Sequence, residues 1–442
     1  MVRWLTSLLI LIAAAAHSAA PLPLKDFQIL LSGNREAAHA ALERIGAQWR
    51  PEYAAMLLES VPIVPDRQTQ SDVLALVSRA TGKTFGEDLN AWYEWIWSMP
   101  PAEHPEYAEF KASLYEQIDP AFREYFANRP KAIIRLDEIR WGGVWRDGIP
   151  PLENPKMLRA RDAHYLADGD VVFGVAIDGD VRAYPKRILA WHEMVRDTIG
   201  GRPLNGVYCT LCGAMILYDV TVAGVQHTLG TSGFLYRSNK LMYDHASKSL
   251  WSTLTGTPVV GTLVGRGIEL KTLHVVTTTW KAWRTRHPQT LVLSLDTGHL
   301  RDYSEGAAYR DYFATDRLMF GVPTQDYRLP NKTEVLVMRS EKEQLAVAVD
   351  FLAANRIYHG ELGRRRFVVF TDASGANRVY ATDNLRFVAA DDNTARTADG
   401  RRFDIGEEAL ASPAGRSLKR LPAHRAFWFG WYAAYPGTRL IK

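Results

Sequence analysis

Near Lys131 the hydrophobic period of the chain changes, and that change restricts the possible folds more than any other feature. Upstream, apolar residues recur at helical spacing between Pro and Gly punctuation. Downstream they come in short runs broken by turn residues. Residues 171–177 run into Asp178-Gly179 and on to 181–184, which is a hairpin signal. Residues 207–210, 215–222, 259–264, 291–295 and 335–337 also read as strands, and 367–371 with 378–381 flank a turn-rich Asp372-Ala373-Ser374-Gly375. One helix is predicted to interrupt them, opened near Pro185 and ended by Gly200-Gly201. So few helices between strands argue against a doubly wound parallel sheet.

The upstream helices have their own signals. Asn34 can cap a helix carrying Ala38, Ala41, Leu42 and Ile45 on one face, stopped at Gly46. Pro51 opens a second with Tyr53, Ala54, Leu57 and Leu58, closed at Pro62. Ser71 and Gly82 bracket a third with Leu74 and Val77 inward, and a fourth carries Leu89, Trp92, Trp95 and Ile96 before Pro100. Helices of this length suit either a HEAT-like array or an irregular bundle, and no repeat of fixed period decides between them. The expected fold is α+β: a helical N-terminal region over 21–130, then a β-rich, mostly antiparallel domain over 131–442.

Residues 1–20 read as a signal peptide. Arg3 gives a positive n-region, residues 5–16 an apolar h-region, and Ser18, Ala19 and Ala20 a small-residue cleavage site. As a helix the apolar run reaches about 18 Å, short of the ~30 Å bilayer core. A soluble periplasmic or secreted protein is expected, with no membrane span after cleavage. Its formal charge of +4 over 442 residues gives no electrostatic reason for a nucleic-acid partner. No P-loop, G-x-G-x-x-G or Ser-His-Asp order stands out, so no nucleotide cofactor is expected.

Both cysteines lie in one motif, Cys209-Thr210-Leu211-Cys212. Three readings compete. Export permits a disulfide, but so short a loop stabilises by only roughly 2 kcal/mol on the loop-entropy model. A redox dithiol suits C-x-x-C, although a strand-like run follows here in place of the thioredoxin helix. A metal site would use both thiolates with further soft ligands, favouring copper(I) with zinc as the alternative. An oxidising compartment argues against free thiols unless a metal protects them, so the metal reading leads.

Candidate further ligands are His192, Met242, His245 and His424. Ile188, His192, Val195 and Ile199 fall on one helical face, aiming His192 inward as a ligand or as a hydrogen-bonded core histidine. Glu193 beside it reads as a solvated surface acid, or else as a base or the group that orients His192. Met242 offers a thioether and His245 an imidazole, with Asp244 behind them, unless the segment is a hairpin with a core Met and a capping Asp. His424 precedes the apolar Phe427-Trp428-Phe429-Gly430-Trp431.

These stretches together resemble the bacterial domain of unknown function 3179 family (DUF3179). The similar text includes Val171-Val172-Phe173-Gly174-Val175, Arg182-Ala183-Tyr184-Pro185, Trp191-His192-Glu193, Tyr208-Cys209-Thr210-Leu211-Cys212-Gly213 and Gly230-Thr231-Ser232-Gly233. Met242-Tyr243-Asp244, Ser249-Leu250-Trp251, Thr279-Trp280 and His287-Pro288 continue it. The resemblance is strong over residues 140–325 and looser as far as Trp431. It departs where Thr210 replaces the usual Pro and His245 the common Arg. It implies a C-x-x-C domain and no stated reaction. Besides the metal protein, a thiol–disulfide protein and a binding or assembly module therefore stand, with an envelope protein or small molecule as partner. Thirteen tryptophans could line an interface, though core packing explains most of them.

Overall fold

A computed structural model describes residues 20–101 and 103–442. The leader assigned to residues 1–20 therefore lies, but for Ala20, outside the described residues. The rest divides into two compact units, one of residues 20–84 with 103–105, the other of 85–101 with 106–442.

The first unit is helical. Asn34 caps Arg35–Ala47 by accepting from the Ala37 amide, and Ala38, Ala41, Leu42 and Ile45 are all buried on its inner face. Tyr53–Ser60 follows, buried along its whole length. The third helix, Arg67–Thr81, starts four residues before the expected Ser71, because the Asp66 carboxylate takes the Thr69 amide and supplies an earlier cap. Gly82 ends it in the left-handed conformation at φ 70°.

The second unit begins with the helices Leu89–Trp97 and Tyr107–Tyr115 and then becomes a set of small sheets. The hairpin read at Asp178-Gly179 joins Val171–Ile177 to Asp180–Pro185 in antiparallel register, Phe173 opposite Tyr184. A second five-stranded sheet contains Met194–Ile199, Arg202–Cys209, Ala214–Asp219 and, at its edge, Lys271–Leu273. A third pairs Leu229–Tyr236 with Asn239–Asp244, Thr231 opposite Met242. Glu334–Arg339, Gln344–Ala348 and His424–Phe427 form part of a fourth. Most pairs are antiparallel, the arrangement expected of an α+β chain. No helix among the described residues is long and apolar enough to cross a membrane.

One expected helix is shorter than the sequence suggests. It spans Lys186–His192 only, since Glu193 takes a left-handed φ of 54° and ends it. Residues 194–199 are a strand paired with Arg202–Cys209, and Gly200-Gly201 is a hairpin turn, not a helix cap. Val195 and Ile199 are buried in either geometry, because the spacing of these few apolar residues fits both periods.

Candidate functional site

The C-x-x-C occupies a hairpin connection. Cys209 ends Arg202–Cys209, and Cys212 stands two residues before Ala214–Asp219. The turn brings the two Cα atoms to 5.4 Å, and the sulfurs form a disulfide. It is packed away from water, Cys209 at 2% and Cys212 at 1% exposure, among Leu235, Tyr312, Val322 and Phe427. The Phe427 amide donates to the Cys212 carbonyl at 2.8 Å. A Cβ on Gly430 would come within 2.8 Å of the Cys212 Cβ, so the helix Trp428–Ala434 lies directly on the disulfide. The Thr210 hydroxyl inside the loop is buried without a hydrogen-bond partner among the described residues.

The other candidate ligands are dispersed. His192 points inward and is fully buried, as the sequence suggests, but its partners are not the cysteines. Its Nδ1 meets the Pro150 carbonyl at 2.9 Å and its Nε2 the Tyr303 hydroxyl at 2.6 Å. Burial pushes the imidazole down to about 4. Met242 packs with Val207, Tyr218 and Trp251, its Sδ taking a weak bond from Asn205 at 3.8 Å. His245 stacks on Tyr243, ring centres 4.9 Å apart, with its Nε2 3.2 Å from Arg196 Nη1. Asp244 does not stand behind it; its carboxylate meets His227 at 3.1 Å and caps the Ser247 amide. His424 lies edge-on to Trp431 at 5.9 Å. No group of three or more His, Cys, Asp or Glu with metal-site geometry occurs among the described residues. The six expected ligands share no centre.

What the fold does assemble is a buried ion pair that sequence reasoning missed. Glu193 Oε2 lies 3.1 Å from Lys240 Nζ, with side-chain exposures of 9% and 4%. The surface role expected for Glu193 is thus corrected. Its left-handed backbone turns the residue inward at the helix end, and Asn239–Asp244 delivers the lysine to meet it. Burial pulls the Lys240 pKa down, and the Glu193 carboxylate partly restores it. Lys240 Nζ also donates to Thr231 Oγ1 at 3.1 Å. Tyr309 completes the group, its hydroxyl donating to Glu193 Oε1 at 3.3 Å.

The network continues through the Gly230-Thr231-Ser232-Gly233 strand. The Thr231 amide donates to Asp147 Oδ1 at 2.9 Å, and the Tyr243 hydroxyl donates to Asp147 Oδ2 at 2.5 Å. Only glycine fits at 230. A Cβ there would sit 2.4 Å from the Tyr243 ring, 2.7 Å from Asp147 Oδ1 and 2.8 Å from His245 Nε2. The Gly-rich motif therefore lets a strand approach this polar cluster.

A cleft of about 450 Å³ opens next to the pair, lined by Val144, Ile149, Ala190, Trp191, Arg301 and Tyr309. Tyr309 links the two, with its ring on the cleft wall and its hydroxyl on Glu193. The disulfide loop is tied to the segment that follows Tyr309, as the Tyr312 hydroxyl donates to the Leu211 carbonyl at 2.7 Å. A mostly apolar cleft with a few convergent polar groups has the composition of small-molecule sites.

A family model described as "Protein of unknown function (DUF3179)" matches residues 146–438, a stretch that holds the disulfide, the ion pair and most of the cleft. No curated protein and no solved structure matches the chain.

Proposed function

The chain belongs to the DUF3179 family, and from the site above we propose that it is a small-molecule binding protein whose cleft is walled by Trp191 and Tyr309. The observation that carries this reading is the Glu193–Lys240 pair, held out of water one hydrogen bond behind an apolar cleft. Ionised groups are costly to bury, and perturbed titratable groups beside clefts concentrate at functional sites. The ligand fitting this lining is small, flat and mainly apolar, with one polar end. Trp191 offers it a ring face, Tyr309 a hydroxyl oxygen that can still accept, and Arg301 a cation without an acidic partner among the described residues.

In this reading the disulfide is a strut. An oxidising compartment such as the periplasm suits it, which agrees with the leader read at residues 1–20. Copper or zinc at Cys209 and Cys212 has a condition attached: the disulfide must first be reduced to give thiolate ligands.

The test is ligand-observed NMR with a library of aromatic fragments on the full chain, repeated on Ala190→Leu, which narrows the cleft, and on Tyr309→Phe. We expect fragments that bind the wild type and weaken at least tenfold in Ala190→Leu. Fragments that bind both proteins equally, or no binding at millimolar concentration, overturn the proposal.

A further inference from the structure

Two neighbouring cavities of about 720 Å³ and about 1050 Å³ share Met338, Arg339, Arg365, Leu421 and Pro422, and so form one continuous groove in the second unit. The groove is separate from the cleft beside Trp191. Met338, Leu421 and Pro422 give it an apolar floor.

Its cations are not matched by its acids. Lys271, Lys342, Arg364, Arg365 and Lys419 line it, all exposed, and none has an ion-pair partner among the described residues. By contrast Arg202 is spent on Asp178 and Arg339 on Glu269. Among the acids, Asp383 is paired with Arg416, while Glu343 and Glu408 each accept a backbone amide, from Gly363 and Asp178. Those amides are neutral, so Glu343, Glu408 and Glu341 stand as three carboxylates against the five cations named above. An acidic occupant would relieve the surplus of positive charge.

Two sheet edges meet the groove. Lys271–Leu273 is the terminal strand of its sheet, paired on one side only with Ala214–Asp219. Ser417–Lys419 terminates another sheet, although Arg420 directly after it is bridged to Tyr380. An edge strand leaves a row of backbone donors and acceptors unpaired on its outer side, a template for an added strand. Lys271 and Lys419 stand on these two edges.

We infer that the groove binds an extended acidic segment of a partner protein, added as a strand along Lys271–Leu273. Its carboxylates fall on Lys271, Lys419 and the hairpin tip at Arg364 and Arg365, where guanidinium groups take carboxylates in paired geometry. Its alternate apolar side chains fall on Leu421 and Pro422. A peptide uses all three features together: the edge, the floor and the charge. A polyphosphate or sulfated glycan would use the charge alone.

The test is fluorescence anisotropy of the full chain with a labelled peptide of about ten residues, alternating Asp and Val. We expect saturable binding that weakens at least tenfold in Arg364→Glu/Arg365→Glu, both exposed at a hairpin tip, Arg364 in the turn and Arg365 opening the strand Arg365–Thr371, so that the melting temperature stays unchanged. Methylating alternate peptide nitrogens of the probe should weaken it to a similar degree, and Ala190→Leu should leave it unaltered. No binding at millimolar probe overturns the inference. So does binding insensitive to N-methylation, or displacement of the peptide by inorganic polyphosphate or a sulfated polysaccharide at lower concentration than by unlabelled peptide.

Discussion

Replacing Lys240 by Met removes the cation from a pair whose members are 3.1 Å apart and almost wholly buried. At an effective dielectric of about 20 their attraction is about 5 kcal/mol. The variant regains part of that, because Met needs no desolvation, and Glu193 keeps the Tyr309 hydroxyl, a hydrogen bond of about 1 kcal/mol. The expected loss is therefore about 3 kcal/mol, at the low end of what breaking a buried pair costs. Glu193→Gln/Lys240→Met removes both charges together, and it should recover at least half of the deficit. Differential scanning calorimetry of the four proteins closes the cycle. The pH dependence gives a second readout. Burial lowers the Lys240 pKa, so the folded state holds this proton more weakly than the unfolded chain. Raising the pH through the window below 10.5 should then favour the folded state, and this gain should be absent in Lys240→Met. If the single variants lose nothing, or the double variant loses their sum, the pair is not the buried element described here.

Four further outcomes follow from the same geometry. With both sulfurs buried, the native protein should show no reactive thiol under mild reductant until denaturant is added, and metal analysis should find no more copper or zinc on the oxidised protein than on Cys209→Ser/Cys212→Ser. Thr210→Val should stabilise by about 1 kcal/mol in thermal melts, since it removes a buried hydroxyl that has no partner among the described residues. His192 is held neutral, its pKa pushed down to about 4 from an ordinary 6.5. Its contribution to stability should be complete above pH 6.5 and decline by up to about 1.4 kcal/mol per pH unit towards pH 4, a slope that His192→Gln should lack in acid titrations followed by circular dichroism. Glu407 is surrounded by Arg286, Arg378 and Arg420, each within 2.8 Å, so Glu407→Gln leaves buried guanidinium groups around a neutral amide and should cost at least 3 kcal/mol by chemical denaturation.

How much of this was legible in the sequence depended on distance along the chain. The Asp178-Gly179 hairpin could be read because a two-residue turn and its flanking strands are one local signal. The Asn34 cap was equally local. The helix expected over 185–200 failed for a local reason as well. Its end rests on Glu193, a residue type that gives no sign of a left-handed backbone, and the Gly-Gly that seemed to end it serves a hairpin.

At the site, the motif residues could be picked out while their partners could not. Tyr309 is 116 residues from Glu193, and no spacing rule joins them. Lys240 did leave a trace, because it lies two residues from the apolar Met242 in one strand and so shares its face. A lysine on a buried strand face needs an acid, and the sequence places one in Trp191-His192-Glu193, beside the histidine that drew attention as a metal ligand. The soft-ligand argument was chemically sound for the residue types, but it assumed that thiol, thioether and imidazole groups converge. The hairpin settles that point for the cysteines. By joining two antiparallel strands through a C-x-x-C turn, it brings the sulfurs to each other and leaves the imidazoles of His192, His245 and His424 with separate neighbours. The chemistry of this domain should therefore be sought where unlike charges were carried into the interior, at Glu193 and Lys240, because a fold that bears the desolvation of both ions keeps a site that an apolar pair would not provide.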